Sequence, residues 1–207
     1  MSRLIVSNIE TQNIKFDSDT TAFTIASDGS VTGTGSADLV KISETTGTDV
    51  AYIDITTGFS STYDTYYVVY DMIGANDTQN TYVQAFVGGS HVTAGAFGRE
   101  TFPTDGGSTS GADTGSNNFL RLDRYGLGNA TGEGGQGSFF IYNRNSTTRP
   151  TSATGRTNNI QNNGNHNHQL ISGSQTSAYR ADIIDGLRFL FATGNVASGT
   201  VKLYGLK

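Results

Sequence analysis

Apolar residues in this chain recur at every second position in short runs, and stretches of Gly, Asn, Ser and Thr separate the runs. That period belongs to strands with one face covered, and no segment keeps a helical period for more than about two turns. Val40-Lys41-Ile42, Val50 to Ile55, Thr81 to Val87, Asn118 to Leu122, Ser138 to Asn143, Asp182 to Phe191 and Thr200 to Leu206 all read as strands. Tyr66 to Ile73 is denser, a nearly continuous run of aromatic and β-branched residues, and reads as a strand covered on both faces. About seven or more short strands between polar turns predict an all-β fold, a jelly-roll-like antiparallel β-sandwich over residues 38–207.

Residues 1–37 read as an extended N-terminal β arm. Leu4, Ile5, Val6 and Ile9 form one apolar cluster, Ile14 and Phe16 a second, Phe23 and Ile25 a third. Asp28-Gly29-Ser30 marks a turn before Val31, and Gly33 to Ser36 is a short link. Each cluster is too small to close a core, yet a disordered tail seldom keeps Ile and Phe at strand spacing. The expectation is an arm ordered by contact with neighbouring copies or with another protein. Fully extended, it would reach roughly 120 Å at most.

Two long polar stretches, Glu100 to Asn117 and Asn143 to Gln169, read as long loops, either packed between subunits or exposed for contact. Gly132 to Gly137 reads as a flexible loop between strands; it has no following helix and no Lys-Ser/Thr, so it is no phosphate cradle. At the C-terminal end, Gly194-Asn195 and Ala197-Ser198-Gly199 read as two sharp turns. Leu187, Phe189 and Phe191 alternate, as do Val201 and Leu203, and belong in the core.

Composition narrows the function. Among 207 residues only 15% are charged, there are 27 glycines, two prolines and no cysteine, and the net charge is −5. Disulfide and thiolate chemistry are thereby excluded. The acidic balance argues against binding a phosphate backbone. No run of about 18 apolar residues and no basic-then-apolar leader is present, so no membrane insertion and no secretion are expected.

Catalytic chemistry finds little footing. There is no Gly-x-Ser-x-Gly elbow and no Cys/His pair, and any two of 18 acidic residues would have to meet in space to cleave a glycoside. No catalytic residue and no cofactor are expected. His166-Asn167-His168 places two imidazoles on one side of an extended chain, a spacing that ligates metals, but it equally suits a polar run of Asn and Gln; no metal site is expected. Asp17, Asp19, Asp28 and Asp113 lie in turns and suit capping better than calcium binding. Ten tyrosines and eleven phenylalanines accompany no tryptophan. Tyr63, Tyr125, Tyr142 and Tyr179 lie near loops and are candidate glycan contacts, though such rings equally cover sandwich ends or subunit interfaces.

Two segments carry a resemblance. Asn13 to Val31 (Asn-Ile-Lys-Phe-Asp-Ser-Asp-Thr-Thr-Ala-Phe-Thr-Ile-Ala-Ser-Asp-Gly-Ser-Val) resembles the leader of tailed-phage structural proteins, above all of marine and cyanobacterial phages. Ile184 to Phe189 and Gly194 to Lys207 resemble the closing strands of phage fibre, spike and capsid-decoration jelly rolls. The resemblance implies a non-enzymatic virion surface protein, assembled in the host cytoplasm as a homotrimer: a capsid decoration, cement or head-spike protein bound to the major capsid protein or another virion protein. On that reading Leu4, Ile5, Val6, Ile9, Ile14, Phe16, Phe23 and Ile25 contact the capsid or the other chains of the trimer. The alternative is a short tail-fibre or receptor-binding tip that recognises a host surface glycan.

Overall fold

The computed structural model describes the backbone of residues 13–15, 21–25, 31–33, 39–93, 97–103, 112–117, 120–123, 125–176 and 178–206, with side chains for 39–93, 120–123, 125–176 and 178–206. The chain divides into two compact units, residues 1–38 and 39–207. In the first, β1 (Asn13–Lys15), β2 (Thr21–Ile25) and β3 (Val31–Gly33) form an antiparallel meander. Ile14 stands opposite Phe23, and Ile25 opposite Val31. Opposed residues, and residues two apart on a strand, share a face, so the register gathers Ile14, Phe23, Ile25 and Val31 on one face of the meander. Leu4, Ile5, Val6, Ile9 and Phe16 lie outside the described residues.

The second unit is an all-β, antiparallel, jelly-roll-like sandwich. Its larger sheet has eight strands and curls into a half-barrel. The spatial order is β10 (Ala112–Asn117), β9 (Phe97–Pro103), β14 (His166–Gln175), β13 (Ser152–Ile160), β12 (Gly134–Tyr142), β6 (Thr65–Gly74), β16 (Val196–Leu206) and β4 (Leu39–Val50). The smaller sheet runs β11 (Leu120–Arg121), β7 (Thr81–Val87), β15 (Ile184–Phe191) and β5 (Ile53–Ile55), with β8 (Ser90–His91) paired to β7.

The core lies between the two inner faces. β6 contributes Tyr66, Val68, Tyr70 and Met72, and β12 contributes Phe139 and Ile141. Leu187, Phe189 and Phe191 of β15 face them, and Val201 and Leu203 of β16 are fully buried, as their alternation predicts. Rings tie the sheets together: Phe189 lies 6.0 Å from Tyr70 and 6.3 Å from Phe139. Close approach requires glycine at two neighbouring positions. A Cβ on Gly137 would stand 2.8 Å from the Tyr70 ring and hydroxyl, and one on Gly155 would collide with the Ser138 carbonyl and Phe139.

Several expectations need correction. Asn143 to Gln169 is not one long loop: it holds β13 and the start of β14, paired in unbroken register from Ser152↔Ser174 to Ile160↔His166. Small and polar residues (Ala153, Gly155, Thr157 and Asn159) take the inward positions there, so the hydrophobic alternation that betrays a strand is missing. Likewise Phe97–Pro103 and Ala112–Asn117 within and beside the first polar stretch are strands. Gly134 to Gly137 belongs to β12, where the absent side chains make room for Tyr70 and Leu127. Ala197-Ser198-Gly199 continues β16 through a register shift against β6 instead of turning sharply. β6 is covered on one face only: Tyr67, Val69 and Ile73 are half-buried and Asp71 is exposed.

Burial is not wholly apolar. Tyr70 Oη, Thr157 Oγ1, Asn159 Nδ2, Asn167 Nδ2 and both side-chain polar atoms of Gln169 are buried without hydrogen-bond partners among the described residues. Asp123 is also buried, accepting from the backbone N–H of Thr81 and, at 2.9 Å, of Gly126.

Gly137→Ala should destabilise the chain by about 1–3 kcal/mol, because the buried Tyr70 has no room to withdraw; urea unfolding measures it. Burial raises the Asp123 carboxyl from 3.8 to about 6, against the opposing pull of its backbone donors. The folded chain therefore binds this proton more tightly than the unfolded chain does. Its contribution to stability is full below the lower value and is lost as pH rises through the upper one. Between those limits the wild type should lose about 3 kcal/mol relative to Asp123→Asn, taking ~1.4 kcal/mol per unit. Urea midpoints for the two proteins at a series of pH values check the sign.

Candidate functional site

The outer face of the eight-stranded sheet collects side chains that the core does not use. Because register is unbroken from β6 through β12 and β13 to β14, and from Ser198 to Leu206 between β16 and β6, residues form rows across the strands. One row is aromatic: Tyr204 opposes Tyr67, and Tyr67 opposes Phe140. Ring centroids are 6.1 Å apart for Tyr67–Tyr204 and 4.7 Å for Tyr67–Phe140, and Phe140 stacks on Tyr142 at 5.9 Å. The row four residues further along β6 is polar and runs Thr46, Thr200, Asp71, Gln136, Asn158, His168. Between them runs a mixed row: Glu44, Lys202, Val69, Ser138, Arg156, Leu170.

The twist of the sheet hollows this face. A depression of about 590 Å³ is lined by Glu44, Tyr67, Val69, Asp71, Gln136 and Asn158, among others. One of about 500 Å³ shares Asp71, Gln136 and Asn158 and reaches His166 and His168. A third, of about 340 Å³, shares Asp71 and Thr200 and extends over Thr46 and Ser198.

Charge on the face is mixed. Glu44 is bound by Lys41 and lies 3.9 Å from Lys202, and the Lys41 hydrogen bond holds its carboxyl below the usual range. His168 Nδ1 meets Asn158 Oδ1 at 2.6 Å. The polar ends of Asp71, Gln136 and Arg156 take part in no hydrogen bond or ion pair among the described residues. Such a face offers carboxylate and amide acceptors, amide and guanidinium donors, and flat apolar rings beside them.

The outer face of the smaller sheet is different in kind. Its central row, Asp54, Arg188 and Gln84, is closed on itself. Arg188 donates to both oxygens of Asp54, at 2.8 and 2.7 Å, and its guanidinium lies 3.4 Å from the centre of the Tyr52 ring. His91 contacts Gln84 at 2.6 Å; burial and the Arg188 charge lower its pKa. That arrangement satisfies its own polar groups and leaves few for a ligand.

The tyrosines singled out from the sequence are scattered. Tyr63 is half-buried against the core, its ring lying against Gly205 and 5.9 Å from Tyr66. Tyr179 also packs against the core, within a turn closed by Asp182 N–H donating to its carbonyl. Tyr125 is exposed at the opposite end, next to Gly126, which abuts Thr78. Tyr142 alone joins the aromatic row. His166 and His168 both stand exposed on the outer face, as their spacing predicts, and no group of three or more metal-binding side chains occurs among the described residues. Of the arm residues, Ile14, Phe23 and Ile25 fall on the meander. Sequence reading missed Tyr67, Phe140, Tyr204, Asp71, Gln136 and Asn158. The usable signal was β6 itself, a strand apolar in both registers that carries a lone acid, Asp71.

Comparison with models of known families, with curated proteins and with solved structures finds no match. Among the described residues no helix is long and apolar enough to cross a membrane.

Asp71→Ala and Gln136→Ala should each change stability by less than about 0.5 kcal/mol, since neither side chain holds a partner in place. Thermal unfolding of the two variants checks that these residues are spare to folding.

Proposed function

We propose that this chain is a non-enzymatic structural protein of a tailed-phage particle, a trimeric capsid decoration or head-spike protein held to the particle by its N-terminal segment. One observation carries the reading: a meander of three very short strands, with Ile14, Phe23, Ile25 and Val31 on one face, precedes a sandwich that has its own core. Strands of three, five and three residues bury too little to persist alone. Their apolar face needs a cover from outside the segment. Two further copies of the segment, or the major capsid protein, supply one.

The division of labour follows from the same contrast. The sandwich is closed around its core and suits display. The meander is incomplete and suits attachment. The resemblance of Asn13 to Val31, of Ile184 to Phe189 and of Gly194 to Lys207 to phage structural proteins supports a virion surface for that pairing. A receptor-binding tail tip, the alternative, uses the same two parts at a different position on the particle.

Sedimentation should give the full chain the mass of three 21.9 kDa copies. A variant lacking residues 1–38 should remain folded, sediment as one copy and fail to attach to particles. A monomeric full chain, or a truncated chain that still decorates particles, contradicts the reading.

A further inference from the structure

We propose that the outer face of the eight-stranded sheet binds a neutral glycan chain, with Tyr67 and Phe140 stacking against sugar rings and Asp71, Gln136 and Asn158 taking their hydroxyls. This goes beyond attachment to a particle. It needs only the folded sandwich, whatever the meander contacts.

The geometry separates two kinds of chemistry into parallel rows. A pyranose has an apolar face of C–H groups and a rim of hydroxyls. Its face suits an aromatic ring, and its rim suits paired donors and acceptors. Here Tyr204, Tyr67 and Phe140 supply rings side by side, and Asp71, Gln136 and Asn158 stand in register on β6, β12 and β13. Tyr67 and Asp71 stand four residues apart on β6, roughly 13 Å, so a chain lying along the strands sets one sugar over the rings and a later one over the polar row. All three hollows are lined by Asp71, and one of them reaches Tyr67 of the aromatic row.

The polar groups also have the right freedom. Asp71 is exposed and unpaired among the described residues, so its carboxylate accepts two hydroxyls without first breaking an ion pair. A charged acceptor makes the stronger bond. Asn158 is already oriented by His168. Preformed concavity with a few fixed polar groups is how small-ligand sites hold their target.

Other occupants fit less well. The centre of a chain-to-chain interface is depleted of charge, whereas this face carries Glu44, Asp71, Lys202 and Arg156. A nucleic acid would meet Asp71 and Glu44 on a chain of net charge −5. An acidic polysaccharide would meet the same carboxylates. A neutral chain meets no such opposition.

The test uses the purified full chain in affinity gel electrophoresis against soluble neutral polysaccharides: dextran, laminarin, galactomannan, xyloglucan and a bacterial galactan. Heparin serves as the polyanionic control. At least one neutral polymer should retard the protein, and heparin should not. Asp71→Ala and Tyr67→Ala should each weaken that retardation by about tenfold or more, while Tyr52→Ala, beside Arg188 on the smaller sheet, leaves it unchanged. The exposed Asp71 keeps the test sound should Tyr67→Ala fold poorly. Retardation by heparin alone, by no polymer, or to the same degree in wild type and Asp71→Ala overturns the proposal. So does a change of oligomeric state in Asp71→Ala, which would make this face an interface between copies. Particle attachment plays no part in the assay, so its failure leaves the proposed virion role standing, and the reverse.

Discussion

The sandwich is organised around the Tyr70 ring, which is fully buried between two sheets that pack about 10 Å apart. Phe189 reaches it from the opposite sheet, and Gly137 on the neighbouring strand leaves the space it occupies. Gly155, one strand further, does the same for Phe139. Large rings and absent side chains thus alternate across β6, β12 and β13. The arrangement fills the interior without bulky residues on every strand. It also fixes register, because a one-residue slip would turn both glycines outward and drive two side chains into the rings.

Beyond Tyr70 the interior changes character. Thr157 and Gln169 are opposed on β13 and β14, as are Asn159 and Asn167, and all four are buried. Several of their polar atoms have no partner, as does the Tyr70 hydroxyl. Each such atom costs about 1–3 kcal/mol relative to a satisfied one. The apolar centre, where β6, β12 and β16 meet β7, β15 and β5, has to offset that cost. Asp123 adds to it, since its neutral form is favoured by burial yet its two backbone bonds favour the charge. The curled flank of the sheet is therefore its least secure part and leans on the ring-packed centre.

What the sequence disclosed follows the same line. Where inward positions are large, as in Tyr66 to Met72, Leu187 to Phe191 and Val201 to Leu203, period-two alternation was plain; the first two strands lie within a residue or two of where they read, and the third begins four residues earlier, at Val196. Where inward positions are Ala, Gly, Thr and Asn, as in Ser152 to Ile160, alternation vanished and two paired strands read as a loop. Gly134 to Gly137 was misread for the same reason: a glycine that makes room for a ring leaves no apolar mark on its own strand. The outer face was hidden differently. Tyr67, Phe140, Asp71, Gln136 and Asn158 are brought together only by register across three strands, which no local pattern encodes. Loop tyrosines stood out by position; Tyr63 and Tyr179 pack against the core, Tyr125 is exposed and Tyr142 joins the aromatic row.

The two outer faces make the final contrast. On the smaller sheet Arg188, Asp54, Tyr52, His91 and Gln84 satisfy one another, so a polar surface is also a finished one. On the larger sheet Tyr67 and Phe140 are only half-buried, while Asp71 and Gln136 hold no partner among the described residues. Folding alone would favour smaller or polar residues at Tyr67 and Phe140, since partly exposed rings return little of their burial energy. Rings retained beside idle hydrogen-bonding groups, across three central strands of a rigid sheet, are what a surface shaped for a ligand would keep and a surface shaped only for solubility would lose.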